Sequence, residues 1–568
     1  MKNKFVSSSF ILFILCCAAF RISGQADEQS RSMNQPVEPF KIIGNIYYVG
    51  TSDVTSFLIT TENGHILIDG GYAETVPQIK QNILKLGFRL EDVKILLNSH
   101  AHLDHAGGLA ELKELTGARL FASQPDSLLL ANGGKGDFSF GDRLPYTPVK
   151  ADKILRDNEK VKLGGMTLKA NLTPGHTKGC TTWTTTVFEN KQKYNAVFVC
   201  STTAPGYRLV DNQNYPNIAR DYQKTFRKLK KIKADVFLAS HGNFFDLTGK
   251  TKKLQNDAAA INPFVDPQGY SDFINKTEQA FQEKLREQQN DKRQTADLHR
   301  RVAEIAQNSK GRVGIAAMLL ETGESIALNG GERFPMQSVF KLPIGMTVLR
   351  EVDARKIKLD QVVSVEKSDI VGKHLRSPIR DKFPDGTELS VSELLRLMVS
   401  ESDGTACDVL LKLIGGPATV NKYLREFKIR EMNVVNNEKE IGADNETQYR
   451  NYATPESAIS LLRVLHEEKT LAPPSRTLLL KLMVETPTGQ KRLKSLLPKE
   501  AIVAHKTGTS NKVDGKTAAT NDIGLITLPD GRNLAVAVFV SDSPADEATR
   551  EAVIAKIARA VWDRWSYK

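Results

Sequence analysis

HAHLDHAG, residues 100–107, places three histidines and an aspartate within six positions of a 568-residue chain that holds ten histidines in all. It ends the apolar run VKILLNSH (93–100), which reads as a strand, and it leads into a glycine-rich turn. His100 and His102 alternate, so both can point the same way at a strand end, while Asp104 and His105 fall on the next turn. Imidazole and carboxylate are the ligands that zinc takes outside thiolate sites. His176 in TPGHTKG and His241 in LASHGN each follow another strand-like run. Five histidines at strand-end loops predict one metal centre at the edge of a sheet.

Working outward, residues 36–262 carry short strand-like runs (IYYVG, SFLIT, HILIDGG, AVFVCS, DVFLASH) between turns and helical stretches, which predicts an α/β layered domain. Residues 296–568 have another texture. A helix (LHRRVAEIAQN) precedes the strands VGIAAMLL and SIALN, long helical patterns follow, and NDIGLITL and LAVAVFVS lead into a terminal helix. No Gly or Pro occurs from Ser271 to Lys310, so a flexible tether is absent. This join predicts two consecutive helices or one nearly continuous one, with any break near Asn290 to Thr295 and Thr295 as an N-cap. The expected division is 1–25 export signal, 36–288 first domain, 289–295 short helical junction and 296–568 second domain.

The signal rests on Lys2 and Lys4, the apolar core FILFILCCAAF (10–20) and the small residues Ser23, Gly24 and Ala26. Its apolar part is short for a membrane span, so the expectation is an exported, periplasmic monomer without stable membrane association. A lipid anchor at Cys16 or Cys17 is the rival, and the residues before them suit it poorly. Beyond the signal only Cys180, Cys200 and Cys407 remain, too few for a disulfide framework. A Cys180–Cys200 bridge stays open. The formal charge of +12 invites a nucleic-acid partner. The densest basic run, KTFRKLKKIK (224–233), instead has Phe226, Leu229 and Ile232 at helical spacing, as a surface helix would. No recognition motif accompanies the charge, and no nucleic-acid partner is expected.

A second constellation lies in the C-terminal half. SVFK puts Ser338 and Lys341 one helical turn apart, so hydroxyl and amine share a face. A serine needs a base to become a nucleophile, and a buried lysine with a depressed pKa is one. SxxK alone is weak. Here SDG (402–404) and KTGTS (506–510) follow in the order that serine β-lactamases and penicillin-binding proteins share.

The first constellation, HxHxDH with two separated histidines, resembles the metallo-β-lactamase superfamily over roughly residues 36–288. TSDVTSFLI, GHTKGCTTW, STTAPGY and NPFVDPQGY resemble its subclass B3. The resemblance implies an αββα sandwich and two zinc ions, one held by His100, His102 and His176, the other by Asp104, His105 and His241. Such ions supply a nucleophile from water and polarise a carbonyl. It also makes Ser201 and Thr203 candidates to bind a substrate carboxylate. Asp69 is expected to order the ligand loop, and Cys200, one residue out of phase, is not expected to be a ligand. CSTTAPGY lacks the acid that many lactonase and thioesterase relatives place there, although such a substrate remains the alternative for this half.

GRVGIAAMLLETGESIALNGGERFPMQSVFKLP, LRSPIRDKFPDG and SESDGTACDVLL resemble class A serine β-lactamases, a resemblance that covers roughly residues 295–568. It implies a serine β-lactamase/transpeptidase-like α/β fold, an antiparallel sheet with a helical subdomain, and no cofactor. Ser338 would attack the lactam carbonyl, with the backbone N–H groups of Ser338 and Thr509 as oxyanion hole. Lys341 and Ser402 would move protons, and Lys506, Thr507 and Thr509 would attract the substrate carboxylate. In NNEKEIGADNETQYRNYAT the implied deacylation base is Glu438, with Glu440 as runner-up. Gly404 replaces the asparagine that usually ends the second motif, and Gly442 replaces the omega-loop asparagine that helps position water. Arg376 stands where an aromatic gatekeeper is frequent, which favours acidic substrate side chains. The expectation is a bifunctional β-lactamase acting on penicillins, cephalosporins or carbapenems. The alternative for the second half is a penicillin-binding sensor that stays acylated.

Overall fold

The computed structural model describes residues 32–255, 262–467 and 470–566. The expected signal, with Cys16 and Cys17, lies outside the described residues. The chain divides into two compact units, Met1–Asn290 and Asp291–Lys568. Pro267–Gln307 is one uninterrupted helix, the continuous form of the two expected arrangements, with no break near Asn290 and no cap at Thr295.

In the N-terminal unit one sheet runs in chain order through Phe40–Ile43, Ile46–Tyr48, Phe57–Thr61, Gly64–Ile68, Val93–Leu97, Arg119–Ser123 and Lys153–Leu155. A second sheet has the order Val236–Ala239, Gln192–Val199, Thr181–Glu189, Met166–Leu172, Lys160–Leu163. Alternation along the strands decides which layer each side chain joins. Leu58, Leu67, Leu96 and Leu120 pack with Val76, Ile79 and Ile83 of helix Val76–Lys85 and with Leu109 and Leu112 of helix Leu109–Thr116. Their neighbours Phe57, Ile59, Ile66, Ile68, Ile95 and Leu97 join Trp183 and Phe198 between the sheets. The second sheet shares that core with Ile218, Tyr222, Phe226 and Leu229 of helix Ile218–Leu229. The layers are helix, sheet, sheet, helix. The helix expected over 224–233 begins earlier and ends at Leu229, and Lys230 to Lys233 lie beyond it.

The C-terminal unit has a five-stranded antiparallel sheet ordered Ser325–Leu328, Arg312–Leu319, Asn533–Ser541, Thr520–Thr527, Val503–Thr509. One face, with Val313, Ile315, Val536 and Val538, packs on Ile554, Ile557, Val561 and Trp565 of the terminal helix Glu547–Ser566. The other, with Ala316, Ala535, Ala537 and Phe539, shares a core with a helical subdomain that includes Lys341–Asp353, Val391–Val399, Gly404–Leu413 and Pro455–His466. The serine that opens SVFK sits just before the first of these helices, and KTGT ends the edge strand Val503–Thr509.

Two candidate active sites

After Leu97 the first sheet's strand gives way to a loop shaped by Asp69. Its Oδ1 accepts from the Ser99 backbone N–H at 2.7 Å, and Asn98 Nδ2 donates to the His100 carbonyl at 2.8 Å. This loop, the 173–180 loop and the end of strand Val236–Ala239 bring all six sequence-predicted ligands together. Ring nitrogens of His100, His102 and His176 lie within 4.8 Å of one another, as do ligand atoms of His100, Asp104 and His105. His241 Nε2 is 3.3 Å from His105 Nε2 and 3.5 Å from Asp104 Oδ2.

The donor set suits zinc. His100 Nε2 and His102 Nε2 are buried with no hydrogen-bond partner, a costly arrangement that a bound cation relieves. Burial, then the neighbouring His105, pushes the His100 pKa well below its ordinary value. Burial, then His102, lowers His176 to about 3. Both shifts favour the neutral imidazole, the form that a metal ion requires. Burial opposes ionisation of Asp104, but His105 overcomes it and holds the carboxyl below the usual range.

Three acids behind the cluster escaped the sequence reading. Asp53 Oδ2 is 3.0 Å from His241 Nδ1, and its Oδ1 accepts from the Asn243 N–H at 2.7 Å. Asp126 accepts from Ala101 N–H, Thr177 Oγ1 and Gly179 N–H, tying the His102 loop to the His176 loop. Asp137 Oδ2 stands 3.6 Å from His102 Nε2. Asp53 lies inside TSDVTSFLI, but nothing in that string says that its carboxylate faces a histidine 188 residues on. Ser201 and Thr203 lie beside the cluster: their hydroxyls are 3.2 Å apart, and the Thr203 carbonyl is 2.9 Å from His176 Nδ1. Cys200 is in a disulfide with Cys180, which leaves no thiolate for a metal.

In the C-terminal unit Lys341 Nζ donates to Ser338 Oγ at 2.8 Å and also contacts Glu438 Oε1. Gln337, just before the serine, has φ +46°, a left-handed backbone that is uncommon off glycine. Glu438 is buried, and Asp408 fixes it by accepting from the Glu438 and Lys439 N–H groups at 2.7 and 3.1 Å. Glu440 Oε2 accepts from Asn437 N–H and Asn436 Nδ2, so its carboxylate closes a capping box.

Lys506 Nζ donates to Ser402 Oγ at 3.0 Å. Thr507 Oγ1 is 2.8 Å from Thr488 Oγ1, and Thr509 Oγ1 accepts from Arg492 Nη2 at 2.8 Å. Arg492, buried and paired with Glu551 at 3.1 Å, is a further cation that the motifs did not reveal. Gly508 is where the edge strand meets the serine turn: a Cβ there would stand 2.4 Å from the Met336 carbonyl.

Two expectations change. Lys341 does not have a depressed pKa. Burial lowers it, but the Glu438 carboxylate more than offsets that and the net shift is upward. In this site it is Lys506 that is lowered, to about 7, by burial and then by the charge of Lys341. Arg376 is not a free cation for an acidic side chain either, because Nη2 lies 3.2 Å from Glu401 Oε2 and Nε donates to the Glu401 carbonyl.

Known proteins resemble each half of the chain. The model of the metallo-β-lactamase superfamily matches residues 49–241, and that of the β-lactamase enzyme family matches residues 297–565. Extended-spectrum β-lactamase PER-1 of Pseudomonas aeruginosa is 44% identical over 267 residues, 47% of this chain and 86% of that protein. Among solved structures, a β-lactamase from Chitinophaga pinensis is 46% identical over 47% of this chain and 98% of its own, with TM-score 0.46. Native FEZ-1 metallo-β-lactamase from Legionella gormanii is 44% identical over 45% of this chain and 98% of its own, with TM-score 0.44. The chain belongs to the β-lactamases twice over: its N-terminal unit to the metallo-β-lactamase superfamily and its C-terminal unit to the class A β-lactamase enzyme family. It is a β-lactamase hydrolase with a metallo-β-lactamase fold followed by a class A fold. No helix among the described residues is long and apolar enough to cross a membrane.

Proposed function

We propose that the chain opens the β-lactam ring at two separate sites, one that uses two zinc ions and one that passes through an acyl-serine. Penicillins, cephalosporins and carbapenems are the substrate classes, and antibiotic resistance is the biological outcome. The observation that carries the reading is the pair of convergent buried clusters: imidazole nitrogens with no hydrogen-bond partner in one, and Lys341 joined to both Ser338 and Glu438 in the other.

In the N-terminal unit His100, His102 and His176 would hold one ion, and Asp104, His105 and His241 the other. Bound zinc supplies Lewis acidity and lowers the pKa of water. The protein's own part is to keep His100 and His176 neutral, to aim His241 through Asp53, and to bind the substrate carboxylate through Ser201 and Thr203.

In the C-terminal unit Lys341 passes its proton to Glu438 and takes the one that Ser338 releases as Oγ attacks the carbonyl carbon. The raised pKa of Lys341 favours this relay over a lysine that waits deprotonated. Backbone N–H groups of Ser338 and Thr509 hold the oxyanion. Ser402 gives its proton to the leaving nitrogen and regains one from Lys341, which recovers the proton held by Glu438, so that Glu438 is a carboxylate again. Lys506, Thr507 and Thr509 hold the carboxylate, with Arg492 behind Thr509. Glu438, a carboxylate once more, then takes a proton from water as the water oxygen attacks the ester carbonyl, and Ser338 Oγ leaves with that proton, which releases the acid.

Intact-mass measurement tests the second half directly. The full chain, treated with chelator and mixed with a penicillin, should gain one penicillin mass transiently, and Ser338→Ala should gain none. An adduct that persists indefinitely favours the sensor reading instead. Zinc content tests the first half: it should be near two per chain and drop in His176→Ala.

A further inference from the structure

The turn that carries Glu438 has an empty position on its working face. Glu438–Ile441 forms a single helical turn, and the Gly442 N–H donates to the Glu438 carbonyl at 3.0 Å. Residues four apart on a helix lie on one face, their Cβ positions about 5–6 Å apart. Position 442 is therefore the neighbour of the Glu438 carboxylate along the turn, and it has no side chain.

Another segment fills that room. A Cβ built on Gly442 would lie 2.6 Å from His374 Nε2 and 3.0 Å from Leu375 Cδ1. The φ of Gly442 is −76°, which any residue adopts, so the constraint on this position is the imidazole that lies against it and not the backbone. The same segment covers the second bare position beside Glu438. A Cβ on Gly404 would lie 3.3 Å from the Arg376 carbonyl, 3.4 Å from Val371 Cγ2 and 3.5 Å from Glu438 Cγ. Residues from the 371–376 segment thus lie against both glycines, and His374 is the member of that segment whose ring nitrogen reaches position 442. Its side chain is exposed, so water has access to it.

We propose that His374 is the positioning residue for the hydrolytic water: its imidazole takes the place of the absent side chain at 442 and holds the water that Glu438 deprotonates. This rests on the acyl-serine reading of the C-terminal unit. A carboxylate base needs its water fixed by a second group, since alignment as well as proton affinity sets the rate. His374 Nε2, 2.6 Å from where a Cβ on Gly442 would lie, is the polar atom at the position one turn along from Glu438. The proton goes from water to Glu438, and His374 gains and loses none.

The test uses the full chain with chelator present and follows the penicillin adduct by rapid-quench intact mass. In His374→Ala the adduct should form at the wild-type rate and decay about tenfold or more slowly. His374→Gln, whose amide reaches the Nε2 position, should recover most of that loss, which a merely structural role would not predict. Gly442→Asn alone should impair decay, because its Cβ meets the ring, and adding His374→Ala should relieve the defect. Wild-type decay in His374→Ala, or equal decay in the Ala and Gln variants, overturns the proposal. If wild type forms no adduct, the acyl-serine reading falls first and the proposal with it.

Discussion

Lys341 and Lys506, both fully buried, are driven in opposite directions: Glu438 raises the pKa of the first, while burial and the charge of Lys341 lower the second to about 7. A lysine with a lowered pKa is charged below that value and neutral above it. If the Lys506 cation attracts the substrate carboxylate, kcat/KM of the chelated chain falls as pH rises through about 7, because this ratio reports the free enzyme. A profile flat well into the alkaline range would show that the charge on Lys506 does not carry recognition.

Glu438→Gln keeps the shape of the side chain and removes the base. Acylation of Ser338 should slow through the lost relay, and hydrolysis of the adduct should slow more, by about 10²–10⁴-fold, so the ester accumulates. Glu440→Gln should leave decay unchanged, since Glu440 spends its carboxylate on a cap. Mass spectra of both variants during turnover separate the two acids; accumulation in the Glu440 variant would reverse the assignment.

Asp53 holds His241 by Nδ1 and leaves Nε2 facing Asp104 and His105. Asp53→Ala should weaken zinc binding at the second position by about 10–100-fold, with the first position retained. Competition with a chromophoric chelator measures this as the loss of one tight site. Two unchanged affinities would mean that the carboxylate does not orient the ligand.

The Cys180–Cys200 disulfide closes a separation of 20 residues. Replacing both cysteines by serine should destabilise the N-terminal unit by about 3 kcal/mol, on the chain-entropy account. The C-terminal unit should keep its own transition. Denaturant unfolding of the full chain with and without the two serines reads the difference, and an unmoved first transition would contradict it.

The convergence of the five histidines and Asp104 was legible because their chemistry is compressed into HAHLDHAG and repeated after two other strands. Likewise SVFK, SDG and KTG state their spacing outright. The alternation of strand-like and helical runs indicated an α/β layered domain, while the αββα order came with the family resemblance; the side-chain alternation of Leu58 and Leu67 against Ile59 and Ile66 is seen in the fold. What escaped are the partners brought in by tertiary packing. Asp53, Asp126, Asp408 and Arg492 belong to no spaced motif, and each acts on a residue distant in sequence or on a different loop. The direction of the Lys341 shift was missed because burial argues for lowering, and only contact with Glu438 reverses it. His374 was invisible for the same reason: Gly442 showed a gap, and only the fold shows what fills it.

The central claim is two reaction centres with different nucleophiles in one chain. The direct measurement is β-lactam hydrolysis by the full chain and by Ser338→Ala, each with and without chelator. Chelator alone and Ser338→Ala alone should each leave substantial activity, and together they should leave none. Complete loss on chelation of the chain that still carries Ser338, with its fold intact, would contradict the account.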